Sequence, residues 1–221
     1  MPTDLHVALQ RYYAGEDGEI EAPLDGFRAD VLRNGVIYEI QTGSFSNIRP
    51  KLEKLLRKYP IILVYPVPHE KRIVRVDPVT GEELSSRRSP KRRDLTDVFD
   101  DLLHLRTLLR RRNLSLEIAL TVERELRCDD GRGSWRRKGV SLIGRELVAV
   151  LSTHRFEQPR DLLALLPDDL PEEFTVADLH RATGCRKPVA GRMAYALRQL
   201  GVIKVVGKRV NAYVYRRRGR P

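Results

Sequence analysis

The sequence predicts a mixed α/β sheet flanked by helices, followed by a smaller unit in which helices close on a hairpin. Three observations carry that prediction. Two strand-like runs, 27–33 and 36–41, meet at Asn34-Gly35, the strongest short hairpin signal, because both residues tolerate positive φ. The continuous apolar run from Ile61 to Tyr65 follows Pro60 and suits a strand buried on both faces. Beyond residue 158, helical apolar spacing recurs three times before two short strand-like segments around Gly207-Lys208-Arg209.

Each element can be justified in order. Leu5, Ala8 and Leu9 recur at helical spacing up to Tyr12, with Thr3 placed as a cap, so the chain opens on an amphipathic helix that Gly15-Glu16-Asp17-Gly18 breaks. After the hairpin, the turn Thr42-Gly43-Ser44 leads to a helix over about 48–59, with Pro50 tolerated in its first turn. Leu52, Leu55 and Leu56 share one face of it; Lys51, Lys54, Arg57 and Lys58 share the other. A second hairpin starts at 72–76 and turns through Asp77-Pro78-Val79-Thr80-Gly81, and Arg87, Arg88, Lys91, Arg92 and Arg93 form an exposed basic loop. Asp94 then caps a long helix through about Arg111, with Val98, Leu102, Leu105 and Leu109 at helical spacing, and 114–122 reads as a further strand. The polar, glycine-rich stretch 129–134 sets the expected boundary, giving an α/β domain with a helical extension over 1–130 and a second unit over 131–221. In that unit Pro159 opens a helix to Leu166, Thr175 caps another ending at Gly184, and a third runs from about Lys187 to Leu200 and stops at Gly201. Three helices and a hairpin are the order of a winged helix.

Composition narrows the function classes. With 41% hydrophobic and 32% charged residues in 221, the chain is globular and its surface heavily ionised. No apolar stretch approaches the roughly 20 residues that cross a bilayer, and the start lacks a signal-peptide pattern, so a cytoplasmic protein is expected. Cys128 and Cys185 stand in no metal-binding spacing and read as ordinary thiols. The formal charge of +11 favours a polyanionic partner, for which DNA, RNA or anionic lipid all fit.

The hairpin carries the candidate chemistry. A two-residue turn at Asn34-Gly35 pairs residues whose numbers sum to about 69, which puts Asp30 opposite Glu39 and Arg28 opposite Gln41, with Gln41 on the face of Glu39. Two facing carboxylates repel unless a cation compensates them, and oxygen ligands suit Mg²⁺ or Mn²⁺. His6 on the first helix could approach this site but is read as a surface or packing residue, and Ser44 and Asn47 as turn and cap residues.

Asp30 followed by Glu39-Ile40-Gln41 on a hairpin, then a basic helix and a buried strand, resembles the D…(D/E)xK signature of the PD-(D/E)XK nuclease superfamily, over roughly residues 1–77. Glu39-Ile40-Gln41-Thr42-Gly43-Ser44 is similar to the Glu-x-Gln variant of competence-protein CoiA-like members, and the whole chain looks like an uncharacterised bacterial family that couples this domain to a winged helix. The resemblance implies an Mg²⁺- or Mn²⁺-dependent nuclease in which Asp30 and Glu39 ligate the metal and hydrolysis of phosphodiester bonds follows. Gln41 replaces the usual lysine; it would hold the attacking water through its amide, while Lys51 or Lys54 would bring the ammonium charge.

In the third C-terminal helix Val189, Met193, Ala196, Leu197 and Leu200 form an apolar stripe, leaving Arg192, Tyr195 and Gln199 outward with Arg186 and Lys187 at the N-terminal end. Lys51, Arg186, Lys187, Arg192, Lys208 and Arg209 are the expected DNA contacts, duplex being the expected form. The other readings are a catalytically inactive DNA-binding regulator or defence accessory, a C-terminal unit that serves as a protein-interaction or dimerisation module, and a protein-interaction scaffold without nucleic acid. Neither a membrane nor a small-molecule substrate is expected.

Overall fold

A computed structural model describes residues 4–133 and 139–219. The protein is mixed α/β, with a seven-stranded mixed sheet flanked by helices and a separate three-stranded sheet. Helix α1 (Asp4–Ala14) opens the described chain and buries Leu5 and Leu9; Thr3, its expected cap, lies outside the described residues. Strands β1 (Glu19–Leu24), β2 (Phe27–Arg33) and β3 (Val36–Ile40) form an antiparallel meander. Val31 faces Tyr38, Leu32 faces Ile37 and Arg33 faces Val36, the expected register. Asn34 and Gly35 take φ of +51° and +74°, as the turn demands. Strand β1 is not among the expected elements; the fold accepts Pro23 in it since an edge strand needs only one row of ladder bonds.

Helix α2 (Phe45–Leu55) starts earlier than its apolar spacing suggests, because Ser44 caps it by accepting the Ser46 N–H. Strand β4 (Ile61–Val76) joins what the sequence divides into two strands. Pro66 and Pro68 sit beyond Val64, where parallel pairing with β3 has ended, and before Arg72, where antiparallel β5 (Glu83–Arg88) begins to pair, so each can turn its missing N–H to an open edge. Arg87 and Arg88 therefore belong to β5 rather than to a loop.

The long helix expected after Asp94 is instead three short 3₁₀ segments, Leu95–Asp100, Leu102–Leu105 and Leu108–Arg110. Asp94 does cap the first, and Asp97 returns its carboxylate to the Asp94 N–H. Val98, Leu102, Leu105 and Leu109 are buried as expected, and Phe99 is buried with them. Strand β6 (Leu114–Asp129) runs parallel to β4, and β7 (Val140–Phe156) pairs antiparallel with it from Leu116–Phe156 to Asp129–Val140. The expected boundary at 130/131 thus falls in the connection between two paired strands, and the large sheet continues to Phe156.

After a 3₁₀ segment at Pro159–Leu165 come β8 (Glu173–Phe174), α3 (Val176–Thr183), α4 (Lys187–Leu200), β9 (Ile203–Arg209) and β10 (Ala212–Arg217), the strands in antiparallel order β8-β10-β9. Gly184 and Gly201 end the two helices at φ of +67° and +81°, which costs glycine least. Alternation along β4 divides the core. Ile61, Leu63 and Tyr65 meet Phe45 and Leu52 of α2 in one cluster, whereas Ile62 and Val64 meet Leu5 and Leu9 of α1 in another. The first cluster runs without a break into the C-terminal unit through Phe174, Val189, Met193 and Tyr215. Among the described residues no helix is long and apolar enough to cross a membrane, and Cys128 and Cys185 are buried free thiols.

Candidate active site

The site is built where the hairpin ladder stops. One step beyond Val31–Tyr38, Asp30 and Glu39 would be the next pair, but the Asp30 carboxylate itself takes the place of a backbone partner. Its Oδ2 accepts the Ile40 N–H at 2.7 Å, so the two carboxylates are not a simple cross-strand pair. Strand β3 instead bonds to β4, with Glu39 beside Leu63 and Ile40 beside Val64.

Glu39 shares its face with Ile37, toward α2, and is 1% exposed. Its Oε2 accepts from the Lys51 Nζ at 2.6 Å, and Lys51 also donates to the Arg28 carbonyl. Its Oε1 is buried with no hydrogen-bond partner among the described residues. Burial, then the negative charge of Asp30, push the Glu39 carboxyl up to about 7 against the opposing pull of Lys51.

Helix α1 serves the other side of Asp30. His6 and Gln10, one turn apart on one helix face, point at the strands: His6 Nε2 lies 3.4 Å from Asp30 Oδ1, and Gln10 donates to the Glu21 carboxylate. The hydrogen bond to Asp30 raises the His6 pKa above its ordinary value, outweighing burial. One ligand atom each of His6, Glu21 and Asp30 lies within 4.8 Å of the others, a geometry able to hold a metal ion. The sequence reading misses Glu21 and sets His6 aside. The available signal was the polar pair His6 and Gln10 at i,i+4 among Leu5 and Leu9.

Of the other expected site residues, Gln41 donates from Nε2 to the Ser44 carbonyl at 2.9 Å, bracing the turn into α2. Lys54 is exposed and stacks over the Phe27 ring, 5.3 Å from its centre. Lys51 thus stands at the carboxylates and Lys54 does not. In the C-terminal unit Arg192 donates from Nε and Nη2 to Asp100 at 3.0 and 2.7 Å, and Arg186 lies 3.5 Å from the same carboxylate. Arg192, expected to turn outward, is therefore held on segment 95–100, whereas Tyr195 of the same face is exposed as expected. Lys187, Lys208 and Arg209 are exposed, and Lys208 lies over the Tyr213 ring at 5.2 Å with Arg198 at 6.0 Å.

These features define an α/β protein whose sheet ends in a buried, lysine-paired carboxylate beside a histidine–carboxylate group. The chain belongs to the family described as Domain of unknown function (DUF8091), whose model matches residues 3–157. The matched stretch contains every residue of this site and ends with β7. The chain is also 31% identical over 217 residues to a Treponema pallidum (strain Nichols) protein named "Uncharacterized protein", a match covering 97% of this chain and 85% of that protein. No solved structure matches.

Proposed function

We propose that the protein is a cytoplasmic, metal-dependent nuclease hydrolysing phosphodiester bonds in DNA, its large sheet a variant of the PD-(D/E)XK nuclease fold and its C-terminal unit a winged helix. The observation that carries this reading is Glu39: a carboxylate buried at the end of the hairpin, one oxygen on Lys51 and the other without a partner among the described residues, near three convergent metal-ligand side chains. A buried, incompletely bonded acid costs stability, and such groups concentrate at functional sites. The order of hairpin, basic helix and doubly buried strand supports the fold assignment. Lys51 supports the chemistry, since it supplies from α2 the ammonium that Gln41 lacks.

The donor set of two carboxylates and an imidazole fits a divalent cation, and the imidazole suits Mn²⁺ better than Mg²⁺. Asp30, Glu21 and His6 would hold it. When bound, the ion supplies Lewis acidity toward a phosphoryl oxygen. Glu39, whose pKa of about 7 matches the working pH, accepts a proton from the attacking water through Oε1, and Lys51 holds that carboxylate in place. Exposed Lys187, Lys208 and Arg209 contact phosphates of duplex DNA.

A second reading, the inactive DNA-binding regulator or defence accessory, is favoured by one observation: the Gln41 amide braces the turn at Ser44 instead of facing the carboxylates. Calorimetric titration with Mn²⁺ and a nicking assay separate the two. Asp30→Asn should lose at least about tenfold in Mn²⁺ affinity. Glu39→Gln should keep Mn²⁺ yet slow nicking on the order of a hundredfold. A wild-type chain that binds no Mn²⁺ and leaves duplex, single-stranded and branched DNA intact rejects the nuclease and retains the regulator.

A further inference from the structure

A cavity of about 210 Å³ has walls that carry four cations, Lys71, Lys91, Arg93 and Arg145, against one carboxylate, Glu123. Leu5 and Thr42 also line it, so it lies at the ends of α1 and β3 that carry His6 and Glu39. Two of the cations are braced by acids outside the lining: Lys71 by Glu125 at 2.6 Å, and Arg93 by Asp97 at 3.6 Å. Lys91 and Arg145 form no ion pair among the described residues, so the cavity holds positive charge beyond what its surroundings neutralise. Glu123, buried and accepting the Thr121 hydroxyl at 2.7 Å, offsets one of these charges; burial raises its pKa while Arg145 and Lys71 lower it.

A recess with excess charge of one sign and walls of low dielectric focuses potential on a counter-ion. Ammonium and guanidinium donors entering from separate elements, the 89–93 loop, β4 and β7, suit an anion with several acceptor oxygens around one centre better than a planar carboxylate.

We propose that this cavity is a phosphate-binding site, and that it takes a backbone phosphate of the nucleic-acid strand lying across the carboxylates. Recognition of the anion stands on the cavity alone; its assignment to a substrate strand rests on the nuclease reading. Lys91 lies in an exposed loop, so its replacement leaves the fold intact, and Arg145→Gln gives a second, independent variant.

The test uses the full chain in EDTA and a fluorescein-labelled single-stranded oligonucleotide followed by anisotropy, with inorganic phosphate as competitor and phosphatidylserine vesicles as a separate arm. Lys91→Ala and Arg145→Gln should each weaken oligonucleotide binding about tenfold and flatten its salt dependence by up to about one unit of slope. Inorganic phosphate should compete with the wild type. Wild-type affinity in both variants overturns the proposal, as does failure of phosphate to compete. Capture of vesicles without oligonucleotide binding overturns the strand assignment. Variant-sensitive phosphate competition in a chain that cleaves nothing with Mn²⁺ upholds the anion site and removes the nuclease reading. Cleavage that Asp30→Asn abolishes and neither cavity variant alters does the reverse.

Discussion

The Lys51–Glu39 pair under α2 and the Arg192–Asp100 pair under α4 use the same two kinds of charge in different solvents. Glu39 is 1% exposed and keeps one oxygen without a partner among the described residues, whereas Arg192 and Asp100 are 40% and 22% exposed and Asp100 is shared by three arginines, Arg93, Arg186 and Arg192. Burying a charge costs several kcal/mol that one partner recovers only in part; an accessible pair contributes about 1 kcal/mol or less. The second arrangement fixes one part of the fold on another at small cost. The first is a liability that chemistry can use.

The largest test of this contrast is Lys51→Ala, which strands a buried carboxylate and should cost roughly 3–5 kcal/mol at pH 8. Urea titrations should find the loss smaller at pH 5, where Glu39 binds a proton, and Glu39→Gln in the same chain should restore most of it. A smaller effect concerns pH in the metal-free wild type. Glu39 holds its proton more tightly folded (about 7) than unfolded (4.5), so its stabilising contribution is complete below about pH 4.5 and is lost as pH rises through 7, by about 3 kcal/mol. His6, also raised, acts with the same sign, full below its ordinary 6.5 and lost above its folded pKa. Stability curves at several pH values in EDTA should slope downward from pH 5 to 8 and flatten in Glu39→Gln; an upward slope would contradict the buried-acid description. Least of all, Arg192→Ala should cost about 1 kcal/mol relative to the wild type, a difference that 1 M salt reduces.

The hairpin was legible in the sequence because its signals are local: Asn34-Gly35 sets the turn and the turn sets the register that pairs Val31 with Tyr38. The doubly buried strand at Ile61 was legible for the same reason, a continuous apolar run. Lys51 was recognised as basic-face material, but its selection over Lys54 depends on how α2 lies against β3, which no spacing reports. Glu21 was out of reach, since its strand is irregular there, with φ of +55°. Strand β7 was missed because register shifts near Leu120, Val122 and Leu126 break its period-two pattern against β6. The outward face assigned to Arg192 failed on a long-range contact, Asp100 lying 92 residues away in sequence.

The core that joins Ile61 and Leu63 to Met193 and Tyr215 gives the family boundary a different meaning from a folding boundary. The matched family stretch stops at residue 157, at the end of β7, yet apolar side chains from both sides of that point share one interior. A chain cut there would uncover segment 95–100, on which α4 packs and in which Val98 and Phe99 are buried, and its two pieces would lose the cooperativity that a shared interior provides. Evolution can therefore replace the segment beyond residue 157 only by supplying another cover for the same apolar surface.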